Sequence, residues 1–222
     1  MSVVIPARNE EEHLQATLDS VMSFAHEVLV VDGGSTDRTA EIARHAGATV
    51  LSSPKGRGRQ QNLGAAHATG ELLLFLHADT LVPPSSADLI RITLSNPAQI
   101  LGAFSLALSD DRPLYRWVER GVRFRSRFFQ LPFGDQAFFL HRDLFVRLGG
   151  FPHIPLLEDV HLLQKIRFKG KVVTVDKPVH TSPRRWQRLG VGRTTMVNQA
   201  ILLANKCGVS PERLARWYGT LS

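Results

Sequence analysis

The first 80 residues alternate short apolar runs with helix-patterned segments, and this alternation limits the fold more than any other feature. Residues 2–5, 27–31, 48–51 and 72–76 are continuous, mostly apolar runs rather than in-and-out patterns. Such runs mark strands buried on both faces. Between them, residues 10–23, 37–46 and 60–68 carry helical spacing; Leu14, Leu18, Val21 and Met22 share one side of the first. The order β-α-β-α-β-α-β predicts an α/β fold, a mostly parallel central sheet with helices on both faces and right-handed crossovers. In such sheets ligands sit beyond the carboxyl ends of the strands. Residues 6–10, 32–37 and 77–79 fall there.

The second half is less regular. Helices are expected over 86–95, 142–148, 159–169 and 195–206, and strands over 100–108, 136–141 and 171–175. Residues 113–129 form a basic amphipathic segment. No repeat, linker or low-complexity tract interrupts the 222 residues, so one domain is expected over 1–222. Within it, three parts are expected: 1–80, 81–190 and a C-terminal helical segment over 191–222.

Composition narrows the class. Apolar residues make up 43% and charged residues 21%, which excludes a disordered or collagen-like chain. One cysteine, Cys207, excludes a disulfide framework and a four-cysteine metal site. No apolar run approaches the roughly 18–20 residues of a membrane helix. The opening MSVVIPARNEEEH lacks the layout of a secretion signal, so a cytoplasmic protein, soluble or peripheral, is expected. The formal charge is +7, which suits a nucleotide, a nucleic acid or an acidic membrane face. Six arginines (112, 116, 120, 123, 125, 127) accompany one acid, Glu119, between 112 and 127.

Several residues are placed for chemistry. Asp79 leaves the most apolar strand in LLLFLHADT. A carboxylate there either caps the following turn or helps to hold a hard cation, which takes oxygen ligands. Asp32 follows a buried strand in VVDGGSTDRT, while Ser35 to Asp37 read equally as a helix cap. The basic GRGR stretch at 56–59, with Arg57, is neither a Walker loop nor a Rossmann fingerprint. Arginines between glycines that open a helix still suit a diphosphate. Glu158 and Asp159 begin a helix, as caps or as a general base. His180 and Arg184-Arg185-Trp186 follow the last expected strand, where the cluster suits a phosphate, a lipid head group or a sugar ring.

Taken in order, SVVIPARNEEEHLQATLDSV, VLVVDGGSTDRTAEIA, GRGRQQNLGAA, LLLFLHADT, GDQAFF, LGGFP and LLEDVHLLQKI resemble the family-two glycosyltransferases with the A-type fold, over about residues 2–190. The resemblance implies that 1–80 is a nucleotide-sugar-binding half and 81–190 an acceptor and catalytic half, with a nucleotide-diphosphate-sugar donor across the strand ends, near Pro6, Ala7, Asn9, Glu10, Asp32, Arg57 and Asp79. It implies Mn²⁺ or Mg²⁺ on the diphosphate, held by Asp79 with His180. Asp159, or else Glu158, would deprotonate the acceptor hydroxyl for an inverting displacement. Asp135, Gln136, Arg184, Arg185 and Trp186 would meet the acceptor or its phosphate. The chain departs from the pattern twice. His77 stands where the family's acid-x-acid motif has its first acid, and Asp32-Gly33 where Asp-Asp is common.

Two other readings fit some of the same residues. A nucleotidyltransferase normally has a glycine-rich basic loop after its first strand; here that position reads PARNEEE. A non-enzymatic nucleic-acid module interleaves aromatics with basic residues, which 116–129 does only partly, and no nucleic-acid partner is expected. Leu114, Trp117, Val118, Phe124 and Phe128, with Met196, Ile201, Leu202 and Leu203, suggest weak peripheral contact with the inner face of a membrane and a lipid-like acceptor. The alternative is that they complete the core or a homodimer interface.

Overall fold

The computed structural model describes residues 1–110 and 112–221, so position 222 of the expected C-terminal segment lies outside the described residues. Its frame is one mixed sheet. Strands β1 (Ser2–Ala7), β2 (Glu27–Asp32), β3 (Thr49–Ser52) and β4 (Leu72–Phe75) pair in parallel in the order β3-β2-β1-β4. Strand β5 is short (Thr80–Leu81), and β6 (Gln99–Leu108), β7 (Phe138–His141) and β8 (Lys171–Thr181) complete the sheet. Strand β7 runs antiparallel to both β4 and β6; β6 and β8 pair in parallel. The parallel expectation therefore describes the first half, and β7 makes the whole sheet mixed.

The apolar runs are continuous because consecutive side chains enter two different cores. Val3, Ile5, Val28, Val30, Leu74 and Leu76 face one cluster. Val4, Leu29, Val31, Leu73 and Phe75 face the other. Helices α1 (Leu14–Met22), α2 (Thr39–His45) and α4 (Ser86–Leu94) cover the first side. Helices α3 (Arg57–His67), α6 (Arg142–Arg147) and α7 (Glu158–Arg167) cover the second. Each fully buried Val, Leu, Ile or Phe contributes about 1.5–3 kcal/mol, so neither face of these strands tolerates a polar residue.

Helix α5 (Pro113–Phe128) lies against β6, burying Tyr115, Glu119 and Ser126. Helices α8 (Arg184–Leu189), α9 (Val191–Lys206) and α10 (Pro211–Leu221) close the chain. Strand β8 does not stop at 175. A register shift between Phe104 and Ser105 skips Asp176 and Lys177, and pairing resumes through Thr181. That bulge carries His180 into the strand, whereas the sequence pointed to a loop.

Candidate active site

The site lies at the carboxyl ends of β1, β2 and β4. Two loops are laced together there. Asn9, in a left-handed conformation (φ 54°), accepts from Thr36 N through Oδ1 (2.9 Å) and donates its own N–H to Ser35 Oγ (3.0 Å). Asp32 accepts from Ser35 N (3.1 Å) and Ser35 Oγ (2.5 Å), so part of its carboxylate caps its own turn. Gly33 has an internal reason: a Cβ there would meet Gln60 Nε2 at 2.9 Å. Buried Gln60 donates to Val31 O (2.7 Å) and Ala7 O (3.0 Å), tying α3 to the ends of β2 and β1. The sequence gave no functional signal for Gln60, because its role appears only where two strands end side by side.

The chemistry-bearing groups gather around one cavity of about 960 Å³. Arg57, His77, Asp79, Asp135, Glu158, Asp159, Arg184, Arg185 and Trp186 all line it. Asp159, in the first turn of α7, accepts from Gly134 N (2.7 Å) through Oδ2 and from Val160 N (2.8 Å) through Oδ1. Two backbone donors thus fix the carboxylate's orientation. Glu158 beside it is buried, and burial raises its pKa; Arg57 Nε at 3.5 Å opposes that rise. Arg57 opens α3 rather than lying in a loop before it.

Arg184 bridges two carboxylates. Its Nη2 donates to Glu10 Oε1 (2.5 Å) and Oε2 (2.6 Å), and to Asp79 Oδ2 (3.1 Å). Burial pushes the Glu10 pKa up against this guanidinium's pull. A fixed cation already sits on Asp79, so this corner of the site is built to hold positive charge. The donor set suits a hard divalent cation, which takes one or two protein carboxylates and draws its other ligands from phosphates and water. Among the described residues, no group of three or more His, Cys, Asp or Glu converges as a complete metal cage.

His180 does not join this set. It is exposed within β8, between buried Val179 and Thr181, and it does not line the cavity. Strand alternation explains this: Thr181 turns inward, where Thr80 Oγ1 donates to its Oγ1 (3.0 Å), so His180 turns away. Gln136 is also corrected. It is fully buried, with Oε1 accepting from Ser126, Phe133 N and Arg125, and Nε2 donating to Phe104 O. It does not line the cavity, so it does not face an acceptor. Pro6 and Ala7 belong to β1 itself, with Ala7 buried.

His77 was noted only as a missing acid. Its Nε2 is buried without a hydrogen-bond partner, and burial, aided by Arg57, brings its pKa down to about 4. A neutral imidazole therefore stands close enough to Asp79 and Asp159 for both charges to act on it. Arg125 reaches the cavity from α5, stacked 3.5 Å over Phe133 and donating to Leu131 O (2.9 Å). Burial lowers its pKa, and it raises that of Asp135, against which Arg125 pulls.

The arginine cluster is largely paired internally. Arg112 meets Asp110 (2.7 Å), Arg116 meets Glu119 (2.8 Å), and Arg127 meets Asp176 (2.7 Å). Arg120 lies over the Trp117 ring.

A mixed α/β sheet with carboxylates and a basic helix start at its strand ends is the architecture of the A-type nucleotide-sugar transferases. The model of glycosyl transferase family 2 matches residues 2–151, and the chain belongs to that family. A mannosyltransferase from Pyrobaculum calidifontis, solved with GDP-Man and Mn²⁺, is 22% identical with a TM-score of 0.69; the match covers 99% of this chain and 69% of that one. A Mycobacterium tuberculosis glucosyl-3-phosphoglycerate synthase, solved with Mn²⁺, UDP and phosphoglyceric acid, is 21% identical with a TM-score of 0.61, covering 94% and 78%. A 4,4'-diaponeurosporenoate glycosyltransferase of Staphylococcus haemolyticus is 40% identical over 89 residues, 36% of this chain and 24% of the relative. The chain spans at most about half the length of such curated relatives, with 41% and 53% covered in two others.

Proposed function

We propose that the protein transfers a sugar from a nucleotide-diphosphate donor to an acceptor hydroxyl with inversion at the anomeric carbon. The observation that carries this reading is Asp159, aimed by Gly134 N and Val160 N into the cavity that Asp79 and Arg57 also line. In the proposed step Asp159 takes the proton of the acceptor hydroxyl. The acceptor oxygen forms a bond to the anomeric carbon, and the carbon–oxygen bond to the diphosphate breaks, leaving its electron pair on the phosphate. Arg57, at the start of α3, neutralises charge that grows on that leaving group. Glu158 keeps Arg57 in place from below (3.5 Å). Asp79, with Glu10 beside it, would hold Mn²⁺ or Mg²⁺, and such a cation supplies Lewis-acid neutralisation of the diphosphate. Asn9 and Asp32 lie where the nucleoside would rest, and Asp135, Arg185 and Trp186 where the acceptor would.

The reading includes contact with the inner face of a membrane. Trp117, Phe124 and Phe128 are exposed on α5, with Arg120 and Arg123 exposed between them. Among the described residues, no helix is long and apolar enough to cross a bilayer. Each basic residue near an anionic surface adds about 1 kcal/mol, so two of them with three aromatics support weak, salt-sensitive binding. Pelleting with anionic vesicles at low but not at high salt is the expected result.

Calorimetry with nucleoside diphosphates, with and without Mn²⁺, tests the core of the proposal. Asp79→Ala should abolish Mn²⁺-dependent binding while the protein stays folded. Unchanged binding in that variant would remove Asp79 from the site.

A further inference from the structure

We propose that the acceptor is an amphiphile whose apolar chain lies in a gallery between α5 and α9, with its reactive hydroxyl at Asp159. This rests on the transfer reading above and names its acceptor class.

The cavity is segregated by polarity. Its charged lining comes mostly from the strand ends, α7 and α8. Its apolar lining comes largely from α5 and α9. On α5 the lining residues Leu114, Trp117, Val118, Gly121, Val122 and Arg125 follow i, i+3, i+4, i+7, i+8, i+11 spacing. That spacing is one stripe along the helix. From Leu114 to Arg125 it runs about 16 Å at about 1.5 Å per residue. Arg125 marks the reacting end, since Asp135 and Asp159 act on its charge. Leu114 and Trp117 mark the far end, and both are more than half exposed (56% and 69%), as is Met196 on α9 (69%). The mouth of the gallery is therefore apolar. A cavity of about 960 Å³ is at the upper limit of small-ligand sites, about 300–1,000 Å³.

Gly121 leaves the cavity lining open here. It sits in the interior of α5, where glycine destabilises a helix relative to alanine. Neither packing nor backbone explains it: a Cβ would meet nothing within 4 Å, and its φ is not positive. Gly192 on α9 is equally open and lines the same cavity. Both are exposed, and both leave the lining of the cavity without a side chain on its α5 and α9 sides. An apolar chain passing between the helices accounts for both. At the reacting end Asp135 Oδ1 and Trp186 Nε1 are buried with no hydrogen-bond partner, leaving an acceptor and a donor for a polar head.

The test uses 11-(dansylamino)undecanoic acid, whose emission rises in apolar sites, displaced by straight-chain alkan-1-ols of increasing length. Wild-type protein should bind the probe, and displacement should strengthen about threefold to fourfold per added methylene until the gallery is full. Gly121→Leu should weaken probe binding at least tenfold, with Gly192→Leu as a second filling variant. Gly121→Ala should raise the melting temperature, which separates filling from unfolding. Phe168→Ala removes an aromatic that is 92% exposed at the end of α7, away from the gallery, and should change nothing. Probe binding unaltered in both leucine variants, or lost in Phe168→Ala, would overturn the proposal. The probe is read without donor and the nucleoside diphosphate without probe. Loss of nucleotide binding alone therefore refutes the transfer reading, and an unaltered probe response alone refutes the gallery.

Discussion

Replacing Gln136 with methionine should separate the site's scaffold from its chemistry. Methionine matches glutamine in length and lack of branching, so the cavity it leaves is small. The consequence lies in the polar partners. Ser126 loses little, because its single hydroxyl proton also reaches Val122 O at 2.8 Å. Arg125 keeps Leu131 O at 2.9 Å and the face of Phe133. Phe104 O and Phe133 N both lose their bond to the amide (2.8 and 3.1 Å). A buried backbone group left unpaired costs about 1–3 kcal/mol, so two cost about 2–6 kcal/mol. At about 2–4 °C per kcal/mol for a chain of this size, the melting point should fall by about 4–24 °C. Urea unfolding should show a lower midpoint at an unchanged slope. Turnover should fall with it, because the turn that Gln136 anchors also presents Gly134 N to Asp159. A methionine variant within about 0.5 kcal/mol of wild type would refute the argument, since no pair of orphaned groups is that cheap.

Three further outcomes are expected. Asp159→Asn should lower turnover about 10²- to 10⁴-fold with donor affinity kept; steady-state kinetics decide it, and a larger loss in Glu158→Gln would reverse the two roles. Arg184→Gln should raise Mn²⁺ affinity in the absence of nucleotide, read by electron paramagnetic resonance, because a competing cation leaves Glu10 and Asp79. Glu27 is pushed up by burial, but hydrogen bonds from Ser2, Thr69 and Gly70 outweigh this and bring its pKa to about 2, against an ordinary value of 4.5. Its contribution is thus present above pH 4.5 and lost as pH falls towards 2. The stability gap between wild type and Glu27→Gln should close over that window in acid titrations.

What a sequence displays depends on where a residue's partners are. Strands β1, β2 and β4 were legible because burial on both faces keeps their central positions apolar, a pattern visible within five residues, whereas β3 is a half-exposed edge strand read from its place in the alternation. Strand β8 was cut short because Asp176, Lys177 and Pro178 look like a loop; they form a bulge that the register of β6 absorbs. The GRGR stretch looked like a loop for its glycines. Gly58 is instead inside α3, where a Cβ would approach Pro152 O at 3.0 Å. Charge was the least legible of all. Arg127 finds Asp176 and Arg184 finds Glu10, partners far away along the chain. A local count of arginines therefore overstated the free positive charge on α5.

The same long-range pairing bears on the altered acid motif. An acid at position 77 would sit beside both Asp79 and Asp159, adding like charge to the carboxylate proposed as the base. His77 removes that repulsion, since burial and Arg57 keep it neutral at any pH well above about 4. The corner then holds Glu10 and Asp79 against one guanidinium, Arg184. Glu10 and Asp79 would hold a divalent cation in place of that guanidinium, and such a cation would supply the charge that matches a diphosphate. Arg184, released from Glu10 and Asp79, would be free to meet that diphosphate. On this view the loss of one acid and the presence of Arg184 are a single electrostatic adjustment, and restoring an acid with His77→Asp should weaken catalysis in wild type less than in Arg184→Gln, where no guanidinium offsets the added charge.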